Sequence, residues 1–574
     1  MPSGNLTSGI SLSALSYSLP DGTPVLRDLT ATLPPGLIGL VGDNGSGKST
    51  LARLLDGTLA PTSGAITGAG QVHVVDQLLP TSSVTVATAL GIAEALAALR
   101  RVLAGDMDEG DLDLIGQDWD LEERALAALA EVGLDTAGPR EGTGPAAAGG
   151  ASAAAVLDRR VDSFSGGEAM RIGLAAALLA GAHWLVLDEP TNNLDAAGRA
   201  LVFEVLARRT GPTLVISHDV ELLRRVEWIA ELAGGLHLYG GNWDAYREAV
   251  ETEEAARRAR VVDARKVFEK EKKQRIEAET KLARAAAYGA KRNDSGPKIL
   301  MNSLKQKAQG NAGRVRGAKA ADEDAAREAL RVAQDALRRE TLIRLSLPET
   351  RVHAGKQVLE VVRATDDTRS DEVVRRIVGP GKVRLVGPNG SGKSTFLDLL
   401  TGAAGGGGDG DGGAGDGGAR GPAGHAAELF PGLGVHVHVP VGTLAQQYGL
   451  SADRTVLEAI RDSAPDADVH RIREVLAALE LRGNRVEQDC GTLSGGERFR
   501  VALAARLVAD PAPGLLVLDE PTNNLDLTST EVLVQALEAY EGAVLLVTHD
   551  PEFARRAGVD EEWDVEDLRS DCRL

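Results

Sequence analysis

GDNGSGKST at Gly42–Thr50 returns as GPNGSGKST at Gly387–Thr395, and these two strings decide how the chain is read. Each follows an apolar run, Leu37–Val41 in one case and Val383–Val386 in the other, and each opens a helical pattern at Lys48 or Lys393. In the order strand, glycine loop, helix, consecutive backbone N–H groups curl around phosphate oxygens while the helix start adds its positive dipole end. The spacing therefore predicts two ATP-binding loops, lined by Gly42, Asn44, Gly45, Gly47 and Thr50 and again by Gly387, Asn389, Gly390, Gly392 and Thr395. Lys48 and Lys393 are placed to reach the β- and γ-phosphates, and the hydroxyls of Ser49 and Ser394 to hold Mg2+.

The duplication extends downstream. LVLDEPTNNLD at Leu185–Asp195 recurs at Leu516–Asp526, and the interval from Glu189 to His218 equals that from Glu520 to His549. The apolar residues before Asp188 and Asp519 read as buried parallel strands, which end where doubly wound sheets place their ligands. Asp188 and Asp519 then suit Mg2+ coordination, and Glu189 and Glu520 suit polarising the water that attacks the γ-phosphate. The expected fold class is α/β. Two nucleotide-binding domains at residues 5–243 and 350–574, each with a helical subdomain, flank a helical hairpin linker at residues 244–349.

Composition restricts the function classes. A chain of 574 residues exceeds what one hydrophobic core organises, in line with the repeat. No stretch approaches the roughly 18 apolar residues of a membrane span, and Met1–Ser18 lacks a basic start followed by an apolar block, so a cytoplasmic location is expected. Two cysteines, Cys490 and Cys572, exclude a disulfide framework. A net charge of −20 excludes a general nucleic-acid platform and requires any such contact to be local.

FSGGE at Phe164–Glu168 and LSGGE at Leu493–Glu497 complete a pattern that resembles the ATP-binding-cassette superfamily. The resemblance implies that Ser165, Gly166 and Gly167 bind the γ-phosphate held by the second phosphate loop, and that Ser494, Gly495 and Gly496 bind that held by the first. Two ATP molecules would thus be sandwiched by intramolecular pairing within a monomer. It further implies magnesium- and water-sensing roles for Gln77 and Gln446, γ-phosphate contacts for the switch histidines His218 and His549, and cross-interface roles for Asp195 and Asp526. Tyr17 falls where an aromatic stacks on adenine, with a core or surface tyrosine as the alternative. The second half offers only Thr365 near that place.

Between the halves, Asp244–Tyr288 runs free of Pro and Gly and is rich in Ala, Glu, Lys and Arg, which predicts long helices folded back as a hairpin. Glycines from Gly289 to Gly317 predict an irregular tip over about residues 288–319. Arg284, Lys291, Arg292, Lys298, Lys305, Lys307, Arg314, Arg316 and Lys319 oppose one acid there, Asp294, a balance that suits RNA phosphates. The remaining alternative is a solvated charged loop. Gly/Asp-rich Ala403–Gly424 and the similar Gly138–Ala155 read as surface loops.

Fused halves, EPTNNLD in both, GGNWDAYRE at Gly240–Glu248 and this linker together resemble the ABC-F family of ribosome-associated ATPases. That resemblance implies a ribosomal partner, through rRNA and P-site tRNA, with entry near the exit site and a linker reaching toward the peptidyl-transferase centre. Antibiotic protection, favoured by the tip segment Gly296–Asn311, and a housekeeping translation role both stand within it. A transporter ATPase is disfavoured by the fused halves, a DNA-associated relative by the short stretch after His549, and a non-hydrolytic scaffold by Glu189 and Glu520.

Overall fold

The computed structural model describes residues 9–75, 83–134, 153–164, 166–180, 183–192, 194–209, 211–291, 298–335, 347–363, 372–405, 429–444, 448–465, 467–523 and 525–570. Two compact units emerge: Met1–Trp243 together with Ile343–Leu574, and Asp244–Leu342.

In the first half of the larger unit, the strand Leu37–Val41 lies between Thr213–Ile216 and Trp228–Leu232, with Trp184–Asp188 and Val72–Val75 beyond the former. These strands are parallel, and Leu236–Gly240 closes the edge antiparallel to Trp228–Leu232. The second half repeats the plan in the order Val441–Leu444, Leu515–Asp519, Ala543–Val547, Lys382–Val386 and Glu561–Asp564, all parallel. Each half adds a three-stranded antiparallel sheet, built on Ile10–Ser18 in one and on Gln357–Arg363 in the other.

The apolar runs are continuous because both faces of each central sheet are covered. Successive strand side chains alternate between faces. Trp184 and Val186 join a core with the antiparallel sheet and the helix Lys48–Leu55, whereas Leu185 and Leu187 pack among the helices between residues 86 and 179. Leu515 and Val517 separate from Leu516 and Leu518 in the same way. The α/β class and duplicated architecture expected from the sequence are those of the structure.

The smaller unit contains the helices Trp243–Lys291 and Lys298–Asp335. Phe268 faces Arg327 at 5.8 Å, and further along Arg275 faces Glu323, so the partners advance in opposite directions and the helices pair antiparallel. One expectation is corrected here. Irregular structure was predicted across residues 288–319, yet Gly289 lies in the first helix and Gly310, Gly313 and Gly317 lie in the second. Each glycine costs a helix only about 1 kcal/mol relative to Ala, and good helix formers such as Lys307, Ala308, Gln309, Arg314, Arg316 and Ala318 separate them. The basic cluster is narrower as well, because Lys319 is held by Glu271 at 3.3 Å and Asp322 at 3.0 Å. Lys307, Arg314 and Arg316 are exposed helical residues; Lys291, Lys298 and Lys305 lie on the same two helices. Arg292, Ser165, Gln77, Gln446, Thr365 and the Gly/Asp-rich stretch from residue 406 to 424 lie outside the described residues, as does most of Gly138–Ala155.

Candidate ATP sites

The chain leaves Leu37–Val41 and Lys382–Val386 through the phosphate loops. Gly47, at φ 99°, and Gly392, at φ 105°, start the following helices in a conformation that L side chains rarely adopt. A Cβ at Gly42 would meet the Leu232 carbonyl oxygen at 2.6 Å, so this loop also depends on close backbone approach. Lys48 is buried and donates from Nζ to the carbonyls of Gly42 (2.6 Å) and Asp43 (3.1 Å). Lys393 donates in the same manner to Gly387 (2.8 Å) and Pro388 (3.0 Å). Burial lowers the pKa of both ammonium groups. Each lysine thus lies across its own loop, and the buried hydroxyls of Ser46 and Ser391 have no hydrogen-bond partner among the described residues. A polyanion entering there would meet an ammonium, free hydroxyl donors and a helix start.

The acidic strand ends converge on the same edge. Glu189 and Glu520 both adopt positive φ, 49° and 45°, while their N–H groups donate to Ile216 and Val547 on the neighbouring strands, each at 2.9 Å. Burial pushes the Glu189 carboxyl up to about 8, against the pull of Lys48, and the Glu520 carboxyl up to about 7. His218 Nε2 lies 3.6 Å from Glu189 Oε1, and His549 Nε2 lies 3.3 Å from Glu520 Oε1. Burial, joined by the lysine ammonium, pushes the histidines down to about 3 and about 4. Both imidazoles are therefore neutral beside their acids.

Asp188 is buried at the end of its strand. Ser394 Oγ donates to Asp519 Oδ2 at 3.3 Å, and burial raises the Asp519 pKa. A hydroxyl and a carboxylate short of compensating charge are oxygen donors that fit a hard divalent cation. No cluster of three His, Cys, Asp or Glu side chains suited to a metal occurs among the described residues. Tyr17 is half-buried and faces Leu26 across its strand pair, and Leu26 in turn lies against Gly47 of the phosphate loop.

The two halves meet through the aspartates that follow each acidic strand. Asp526 uses Oδ1 to cap the helix Leu527–Ala539, accepting from Ser529 N–H at 2.8 Å, and Oδ2 to accept from the Asn44 N–H of the opposite phosphate loop at 2.8 Å. Asp195 does the same with Gly198 (2.9 Å) and Asn389 (3.3 Å). Burial raises the pKa of both carboxyls, but these N–H groups outweigh it and hold them below the usual range. Ser494 caps the helix Gly495–Leu507 through a reciprocal box with Glu497. Gly166 and Gly167 open the corresponding first-half helix, and Gly496 approaches Ser529 so closely that a Cβ would lie 2.5 Å from its hydroxyl.

Three contacts were passed over in the sequence. Thr528 Oγ1 donates across the interface to Asp43 Oδ1 at 2.9 Å, Arg199 reaches the His549 carbonyl at 3.3 Å, and Arg384 donates to the Thr548 carbonyl at 3.0 Å. Aligning the halves sets these residues against different types, Thr528 against Ala197, Arg199 against Thr530, and Arg384 against Gly39. That mismatch was the available signal.

A pair of phosphate loops, acidic strand ends and interlocked aspartates on duplicated doubly wound sheets defines a tandem ATP-binding-cassette ATPase. Comparison agrees: the ABC transporter family matches residues 26–192 and 377–523. The tylosin resistance ATP-binding protein TlrC of Streptomyces fradiae is 32% identical over 93% of this chain and 94% of its own length. ABC transporter F family member 2 of Arabidopsis thaliana is 30% identical over 96% of this chain and 76% of its own length. An archaeal ribosome recycling factor, solved in complex with a ribosomal stalk protein, shares the fold at TM-score 0.50 and 19% identity, covering 96% of this chain and 87% of that one. The chain belongs to the ABC-F family of ATP-binding, ATP-hydrolysing proteins. No helix among the described residues is long and apolar enough to cross a membrane.

Proposed function

We propose that this protein closes its two halves around two ATP molecules, binds the ribosome near the exit site through the basic apex of its hairpin, and protects the peptidyl-transferase centre from antibiotics. The reading rests above all on the exposed Lys307, Arg314 and Arg316 near one end of an antiparallel hairpin, on a chain whose net charge is −20. Cations concentrated on one helical hairpin suit rRNA or P-site tRNA phosphates, and the acidic remainder disfavours other approaches. The similarity to a tylosin resistance protein over nearly the whole of both chains favours protection over a housekeeping translation role.

In each site the phosphate loop and its lysine would bind the β- and γ-phosphates, with the signature residues of the opposite half, Ser494–Gly496 or Ser165–Gly167, closing over the γ-phosphate. Mg2+, held by Ser49 and Asp188 or by Ser394 and Asp519, with Gln77 and Gln446 beside them, would neutralise phosphate charge. Glu189 or Glu520 accepts a proton from water as its oxygen bonds to the γ-phosphorus, and the bond to the β–γ bridging oxygen breaks to leave ADP and phosphate. His218 and His549, held neutral, donate an N–H to the γ-phosphate without adding charge. Loss of the γ-phosphate removes the bond between halves and releases the protein.

Co-sedimentation with ribosomes in ATP tests this. The Glu189→Gln, Glu520→Gln double variant should bind ATP, hydrolyse it slowly and pellet with ribosomes far more than the unaltered protein. A folded, ATP-bound double variant that stays in the supernatant sinks the ribosomal assignment. Survival of drug-treated translation on adding the unaltered protein separates protection from a housekeeping role.

A further inference from the structure

The two switch-histidine segments, Ser217–Asp219 and Thr548–Asp550, occupy equivalent places but are held differently. In the second half, consecutive carbonyls are each bound by a guanidinium: Thr548 by Arg384 at 3.0 Å, and His549 by Arg199 at 3.3 Å. Arg384 comes from the strand leading into the second phosphate loop and is anchored by Glu562 at 2.8 Å. Arg199 comes from the other half. It is buried, and its second nitrogen donates to Asp219 Oδ1 at 3.0 Å, one residue after His218. The first half cannot reproduce this arrangement, since Gly39 stands in the place of Arg384 and Thr530 in the place of Arg199.

We propose that the two ATP sites are built unequally, with Arg199 acting across the interface as a positioning residue that, together with Arg384, fixes the His549 segment, so that closure of the halves orders the second site through a contact that the first site lacks. Opening the interface withdraws Arg199 from the His549 carbonyl and leaves that segment with one of its two anchors. The first site, with Gly39 and Thr530 in those places, lacks this additional anchor from the opposite half. The inference rests on Glu189 and Glu520 being the hydrolytic acids, as set out above.

The charges facing the second site fit this assignment. His549 is surrounded by Lys393, Asp195, Arg384 and Arg199, and Glu520 by Lys393, Asp519 and Arg384. Arg384 thus disfavours a charged imidazole and favours an ionised Glu520.

The test measures steady-state ATP hydrolysis by the full chain in two backgrounds, Glu189→Gln, which leaves the second site active, and Glu520→Gln, which leaves the first. Loss of a charge-assisted hydrogen bond that orients a reacting group should lower kcat by about tenfold. Arg199→Met is therefore expected to lower kcat about tenfold in the Glu189→Gln background, with KM for ATP within about twofold, and less than about threefold in the Glu520→Gln background. Arg199→Lys should restore part of the loss. Arg384→Met, whose contacts lie within the second half, should reproduce the selective loss. Equal losses in the two backgrounds, no loss, or a loss confined to the Glu520→Gln background would each overturn the inference. If the Glu189→Gln, Glu520→Gln double variant turns over ATP normally, the reading of the acids fails and takes this inference with it. If the double variant is inactive while the losses are equal, only the unequal coupling fails.

Discussion

At Glu189 and Glu520, a left-handed backbone and a raised carboxyl coincide in both copies. Such a backbone costs on the order of 1–3 kcal/mol at a non-glycine residue, and two occurrences at equivalent positions point to a requirement of the site. The raised pKa has a definite sign. Below about 7 at Glu520 and about 8 at Glu189, the neutral acid dominates and cannot accept a proton from water; the base form accumulates as pH rises. Because kcat/KM reports the free enzyme, it should climb with pH across this interval and then level. With Glu520→Gln the midpoint should lie near 8, and with Glu189→Gln nearer 7; a profile flat from about pH 6 to 9 in both variants would refute this titration. The candidacy of these two acids was legible in the sequence, since DEPTNNLD places an acidic pair at both strand ends. Their strain and their titration were not, because both arise from burial between strands distant in the chain. Arg199 and Arg384 escaped notice for a related reason: their partners are backbone carbonyls, which no motif records.

The hairpin shows the opposite error at the scale of an element. Its helical character was legible from residues that favour helix over Asp244–Tyr288, but the glycines were weighted as breakers, and the second helix continues through Gly310, Gly313 and Gly317. Nothing among the described residues approaches within 4 Å of a Cβ placed on any of the three, so no packing reason seen there demands glycine. Replacing all three by Ala should therefore strengthen this helix by up to about 3 kcal/mol, at about 1 kcal/mol each. Slower amide hydrogen exchange over Lys305–Lys319 would register the gain. Unchanged or faster exchange would mean that the segment does not spend its time as this helix. If the glycines serve compliance of the apex against its target, the same variant should bind ribosomes with altered release while its nucleotide affinity stays the same. The helical packing in the paired region is anchored separately by Arg275 and Arg327, which share the buried Glu323.

Charge governs the whole molecule. An acidic protein meeting a polyanion gains only from cations it can present locally, and salt screens that gain. Lys307, Arg314 and Arg316 are exposed, and among the described residues none takes part in an ion pair, whereas Lys319 is already committed to Glu271 and Asp322. These three, like the exposed Arg284 of the first helix, are thus free to meet phosphate. Each phosphate contact contributes roughly 0.7–0.9 to the slope of log affinity against log salt concentration, the lower value for single strands. Replacing all three by Gln should lower the steepness of that dependence by about 2–3 for ribosome binding by the hydrolysis-deficient double variant. Affinity should fall most at low salt, while ATP binding and thermal stability change little because the side chains are exposed. If affinity falls with the slope unchanged, these residues act through shape or a protein contact, and the RNA reading of the hairpin must be abandoned. If neither changes, recognition lies elsewhere on the chain, since three of the cations invoked for it would have been removed without consequence.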